Sequence, residues 1–90
     1  MTTRQATVIN EYGIHCRPSA IILKEMYGFP DTTFTLDAGQ GETTIGGVMD
    51  LLSMDMSRGT QVTLRAHGGD EDRAADRLAA LLSTNFDFRR

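Results

Sequence analysis

Cysteine occurs once in this chain and histidine twice. A lone thiol excludes an internal disulfide. His15 and Cys16 are neighbours but His67 is distant, so no metal-ligand spacing exists and no metal or cofactor is implied. Long apolar runs are also missing. That excludes a signal peptide and a membrane span, and a cytoplasmic location is the simplest reading. Basic charge is scarce: nine Lys and Arg face twelve Asp and Glu, for a net charge of −3 and a pI near 5.2. Without a basic stripe, nucleic acid is not an expected partner, and Arg89-Arg90 reads as a solvated terminal pair. There is no repeat, linker or low-complexity tract. Ninety residues suit one domain, 1–90, with a modest core and a working site on the surface.

What is present is a sequence of short, well-punctuated elements. Residues 5–9 read as a strand, with Ala6 and Val8 alternating with Gln5 and Thr7. Residues 10–14 form a loop. A helix is expected over 16–27, with Ser19, Ile22, Leu23 and Met26 at core-facing spacing and Gly28 as its stop. Phe29-Pro30-Asp31 turns the chain. Residues 32–36 and 42–45 read as strands joined by a hairpin at 37–41, which is not a nucleotide loop because no strand–glycine–helix context surrounds it. Gly46-Gly47 breaks the pattern before a short helix over 48–54, in which Val48, Leu51 and Leu52 share one side. A strand over 60–66 points Val62, Leu64 and Ala66 inward, and His67-Gly68-Gly69 ends it with a surface turn histidine. The last helix, 70–83, buries Ala74, Ala75, Leu78, Leu81 and Leu82. Asp70, Glu71 and Asp72 complement its positive end and are not read as a carboxylate site.

The order is βαββαβα. An α+β fold satisfies it: a four-stranded antiparallel sheet covered on one face by three helices, an open-faced β-sandwich. The other face should be polar, carrying Thr7, Thr33, Thr35, Gln61, Thr63 and Arg65.

The stretch Gly13-Ile14-His15-Cys16-Arg17-Pro18-Ser19-Ala20 puts a histidine at the mouth of the first helix. Pro18 suits a first turn, where its missing N–H would have had no partner. Unpaired backbone N–H groups and the positive end of the helix dipole converge there, which makes an anion site. A nucleophilic imidazole at an anion site suggests a histidine that accepts a phosphoryl group. The dipole disfavours imidazolium and keeps His15 neutral near pH 7. Arg17 adds a fork of donors suited to phosphate.

This octapeptide resembles the active-site segment of the histidine-containing phosphocarrier (HPr) family of the bacterial phosphotransferase system. Ile45 to Met54 resembles that family's second helix, Arg58 to Leu64 its last turn and strand, and Asp70 to Leu82 its closing helix. The resemblance implies the same open-faced sandwich. It implies a carrier rather than a turnover enzyme, a monomer that takes a phosphoryl group on His15 from an enzyme I-like donor and gives it to enzyme IIA-like acceptors in sugar uptake. It maps phosphate stabilisation onto Arg17, and the backbone N–H groups of Cys16 and Arg17 are the direct phosphate contacts to expect.

Partner docking maps onto an exposed apolar patch of Val48, Met49 and Leu52, with Leu51 and Met54 left to the core and Lys24 facing acidic partner surfaces. The regulatory serine of many relatives aligns with Gly47, so serine-kinase control is expected to be absent; Ser53 is a poor substitute, and Asp50 falls where some relatives have lysine. Cys16 stands where a small or hydroxyl residue is expected. Its thiol should titrate low at a helix mouth, and both a redox role and a bland small side chain fit. The ending Leu82 to Phe88 resembles the nitrogen-related branch of the family, although Phe86 also fits a simple anchor for the last helix. A fold that carries no phosphate and serves only interaction is the remaining alternative.

Overall fold

The computed structural model describes residues 1–9, 16–54 and 56–84, with 16–18 as backbone alone. Its elements are β1 (Thr2–Thr7), α1 (Cys16–Tyr27), β2 (Thr32–Asp37), β3 (Glu42–Thr44), α2 (Val48–Ser53), β4 (Gln61–Gly68) and α3 (Glu71–Leu82). The strands form one antiparallel sheet in the order β1-β4-β2-β3. The last strand therefore enters the middle. β1 and β2 run parallel on either side of it, joined across the sheet by α1, because a parallel pair needs a crossover rather than a hairpin.

Register decides which side chains meet the helices. Ala6 lies opposite Val62, while Leu36 lies opposite Leu64 and Phe34 opposite Ala66; all six are buried. Against them pack Ile22, Leu23 and Met26 of α1, Leu51 of α2, and Ala74, Ala75, Leu78 and Leu82 of α3. Burial of a side chain such as Ile22 or Leu64 contributes roughly 1.5–3 kcal/mol. α3 covers β1 and β4, and α1 packs between α2 and α3. Ser19 is buried on the core-facing side of α1, as its spacing implies, but its hydroxyl has no hydrogen-bond partner among the described residues. Phe29 turns inward from the loop after α1, meets Phe34 edge-to-face at 6.5 Å and receives the Arg73 guanidinium over its ring at 5.7 Å.

Strand boundaries differ from the sequence pattern in every strand. β1 ends at Thr7 rather than at residue 9, β2 ends at Asp37, β3 ends at Thr44 and β4 starts at Gln61. Two further differences have a visible cause. β1 starts at Thr2 rather than Gln5. The opening Thr-Thr-Arg-Gln shows no apolar alternation, yet its polar side chains are satisfied on the covered side. The single proton of the Thr2 hydroxyl is shared between Glu71 Oε2, at 2.9 Å, and the Asp72 carboxylate, and Arg4 Nε donates to Asp76 Oδ1 at 2.8 Å. β4 continues to Gly68, so His67 lies within the strand, exposed and opposite Thr33, not in a turn after it. Gly68 has φ +147°, and a Cβ there would collide with the Asp31 carbonyl, so this close approach of β4 to the start of β2 requires glycine.

Candidate functional site

His15 lies outside the described residues, as do the side chains of Cys16 and Arg17. What the structure describes is the scaffold that follows them. α1 begins at Cys16, immediately after His15 in sequence, and its first turn carries no acidic residue. Cys16 and Arg17 thus both belong to the turn whose N–H groups lack intrahelical acceptors, and no carboxylate of that turn competes for them. The helix holds this register because Ser19, Ile22, Leu23 and Met26 are anchored in the core. Lys24 lies in the last turn and is exposed, where it also complements the negative helix end.

α2 lies against α1 on the same side of the sheet. Met49 points to solvent at 74 % exposure, whereas Leu51 is fully buried and Met54 nearly so. Exposure within the expected patch is uneven. Val48 and Leu52 are only partly exposed, and Val48 packs onto the core. A helix of six residues has too few turns to present three apolar residues fully outward while Leu51 points in. Met49 is therefore the prominent apolar side chain of this surface.

The start of α2 shows a contact that the sequence reading missed. Asp50 Oδ2 accepts the Gly46 N–H at 2.7 Å and the Gly47 N–H at 3.1 Å, and the Asp50 N–H donates to the Gly47 carbonyl at 3.2 Å. The signal was the spacing Gly47-x-x-Asp50, in which a carboxylate three residues past the cap reaches back to it. Gly47 itself is extended, at φ −168°, and a Cβ there would meet nothing within 4 Å. The absence of a hydroxyl at 47 is therefore not enforced by space. Ser53 Oγ donates to the Asp50 carbonyl at 3.0 Å, a local helix contact.

The acidic start of α3 does more than complement a dipole. Glu71 Oε2 meets the Met1 ammonium at 2.8 Å, and Glu71 Oε1 accepts the Gly68 N–H at 3.2 Å. The ammonium first, then the Gly68 N–H and the Thr2 hydroxyl, hold its carboxyl down at about 2. Among the described residues no group of three His, Cys, Asp or Glu is placed to hold a metal ion, and no helix is long and apolar enough to cross a membrane.

An open-faced sandwich whose first helix starts one residue after the histidine of Gly-Ile-His-Cys-Arg-Pro matches known phosphocarriers along almost its full length. The sequence model of the PTS HPr component phosphorylation site matches residues 2–84. The phosphocarrier protein NPr of Escherichia coli K12 is 34 % identical over 89 residues, covering 97 % of this chain and 98 % of its own. The phosphocarrier protein HPr of Haemophilus influenzae is 30 % identical over 84 residues, covering 93 % and 98 %. The crystal structure of HPr-C-His from Thermoanaerobacter tengcongensis superposes with a TM-score of 0.82 at 26 % identity, covering 91 % of each chain. The chain belongs to the HPr family. It is a phosphocarrier of the phosphotransferase system.

Proposed function

We propose that His15 accepts a phosphoryl group derived from phosphoenolpyruvate, delivered by an enzyme I-like kinase, and passes it to an enzyme IIA-like acceptor in sugar uptake in the cytoplasm. The observation that carries this reading is the start of α1 at Cys16, directly after His15, in a helix whose first turn has no carboxylate. A neutral imidazole nitrogen attacks the phosphorus, and the P–N bond forms as the bond to the donor breaks. The N–H groups of Cys16 and Arg17, with the Arg17 guanidinium, take the phosphoryl oxygens. A second in-line transfer to the acceptor returns His15 to its starting state, so the protein serves as substrate and donor and completes no turnover of its own. Partners dock on Met49, flanked by Val48 and Leu52, with Lys24 on α1 meeting their acidic groups. Each partner must leave quickly, which fits a small interface with few anchors.

A second reading, a regulatory carrier of the nitrogen-related branch, is favoured by the likeness to NPr. One experiment separates the readings. The protein is incubated with phosphoenolpyruvate and enzyme I, then offered a sugar-type and a nitrogen-type enzyme IIA in turn. Acid-labile phosphate that drains to the sugar-type acceptor supports the first reading. Drainage to the nitrogen-type acceptor supports the second. A chain that takes no phosphate is an interaction module.

A further inference from the structure

We infer that Met49 is a site of reversible oxidation by hydroperoxides and that its sulfoxide weakens partner docking. The effect on docking rests on the role proposed above for Met49; the oxidation itself does not. The chain has five methionines, and their exposures fall into two groups. Met26, Met54 and Met56 are 8 %, 7 % and 2 % exposed, whereas Met49 and Met1 are 74 % and 72 % exposed. A hydroperoxide must reach sulfur to react with it, so the three core thioethers are shielded and the two exposed ones are not. Met1 sits beside Glu71 at the start of α3, on a different element from the patch.

In the reaction a lone pair of the Met49 sulfur takes the terminal oxygen of the hydroperoxide. The O–O bond breaks, the proton passes to the departing oxygen, and water or an alcohol leaves. Sulfur is oxidised by two electrons and the peroxide is reduced by two. The product is a polar, chiral sulfoxide, which methionine sulfoxide reductases return to the thioether. A flexible apolar anchor becomes a polar group. Val48 and Leu52 are partly turned inward and replace little of the lost apolar contact. The fold has no reason to change, because Leu51 stays in the core and Asp50 keeps its contacts to Gly46 and Gly47.

The test treats the purified protein with hydrogen peroxide, removes the oxidant, adds dithiothreitol to reverse sulfenic acid and disulfide formation at Cys16, and checks by mass spectrometry that no higher cysteine oxide remains. Peptide mass spectrometry should place added oxygen on Met49 and Met1 and leave Met26, Met54 and Met56 unchanged. Transfer from phosphorylated enzyme I should then need about tenfold more partner for half-saturation, as expected when a hot-spot anchor is lost, with the limiting rate retained. Methionine sulfoxide reductase should restore the original concentration dependence. Met49→Leu, compared before and after peroxide against its own starting value, should lose the sensitivity. Oxidation of the core methionines as readily as Met49 overturns the inference whatever docks there. Clean oxidation of Met49 with unchanged concentration dependence overturns its effect on docking and the docking role with it. A peroxide effect that persists in Met49→Leu assigns the sensitivity to another group and overturns the inference as well.

Discussion

Arg17 belongs to a helical turn without a carboxylate, so that turn supplies no acidic partner for its charge. Arg17→Ala should slow phosphoryl transfer by about tenfold or more, roughly 1.4 kcal/mol of barrier, and leave the melting temperature nearly unchanged, as expected of a charge that serves transfer rather than folding. Stopped-flow transfer and thermal unfolding check both halves; an unchanged rate would mean that the backbone N–H groups suffice. Glu71 works on stability instead. Its carboxyl is held at about 2, below the ordinary 4.5, so the native state binds fewer protons there than the unfolded state. The stabilisation is complete above the ordinary value and is lost as pH falls towards about 2. Urea unfolding of the wild type and Glu71→Gln should differ at pH 6 and converge in acid; a constant gap would contradict the assignment. The position of Glu71 at a helix start was legible in Asp70-Glu71-Asp72. Its bonds to Met1 and Thr2 were not, because local pattern says nothing of contacts between residues far apart in sequence.

The short helix α2 shows how an element sets what its residues can do. Asp50 closes the helix start through Gly46 and Gly47, and the Ser53 hydroxyl is engaged by the backbone. An ATP-dependent HPr kinase should therefore leave the protein unmodified, as phosphate-sensitive mass spectrometry would show. Gly47→Ser should fold normally, since its Cβ has free space, yet remain a poor substrate because the Asp50 carboxylate repels an incoming phosphoryl group. Phosphate on Ser53 would show that the regulatory segment lies elsewhere. Met49→Asp should weaken partner binding by about tenfold or more with circular dichroism and melting temperature preserved. Unfolding would instead mark Met49 as a core residue, against its exposure. The bounds of α1 were fully legible, because twelve residues give the helical period room to repeat and Gly28 ends it. In α2 the six residues complete fewer than two turns, so spacing could not say how far Val48 and Leu52 turn inward.

At the scale of the molecule, the alternation of Val62, Leu64 and Ala66 and the stripe of Ala74, Leu78 and Leu82 made the layering readable, because each element buries one face only. The central place of β4 is a long-range choice that follows from pairing with both β1 and β2. The extra strand residues Thr2 to Arg4 and His67-Gly68 were hidden because polar side chains and glycine carry no alternation. The core holds α1 and α2 side by side, and the central claim is that His15, directly before α1 in sequence, carries the phosphoryl group. The most direct test labels wild type, His15→Ala and His67→Ala with phosphoenolpyruvate and enzyme I and locates the acid-labile phosphate by mass spectrometry. A single phosphoryl group on His15, retained in His67→Ala and absent from a folded His15→Ala, is the predicted result. Acid-labile phosphate on His15→Ala, at His67 or anywhere else, would contradict the account.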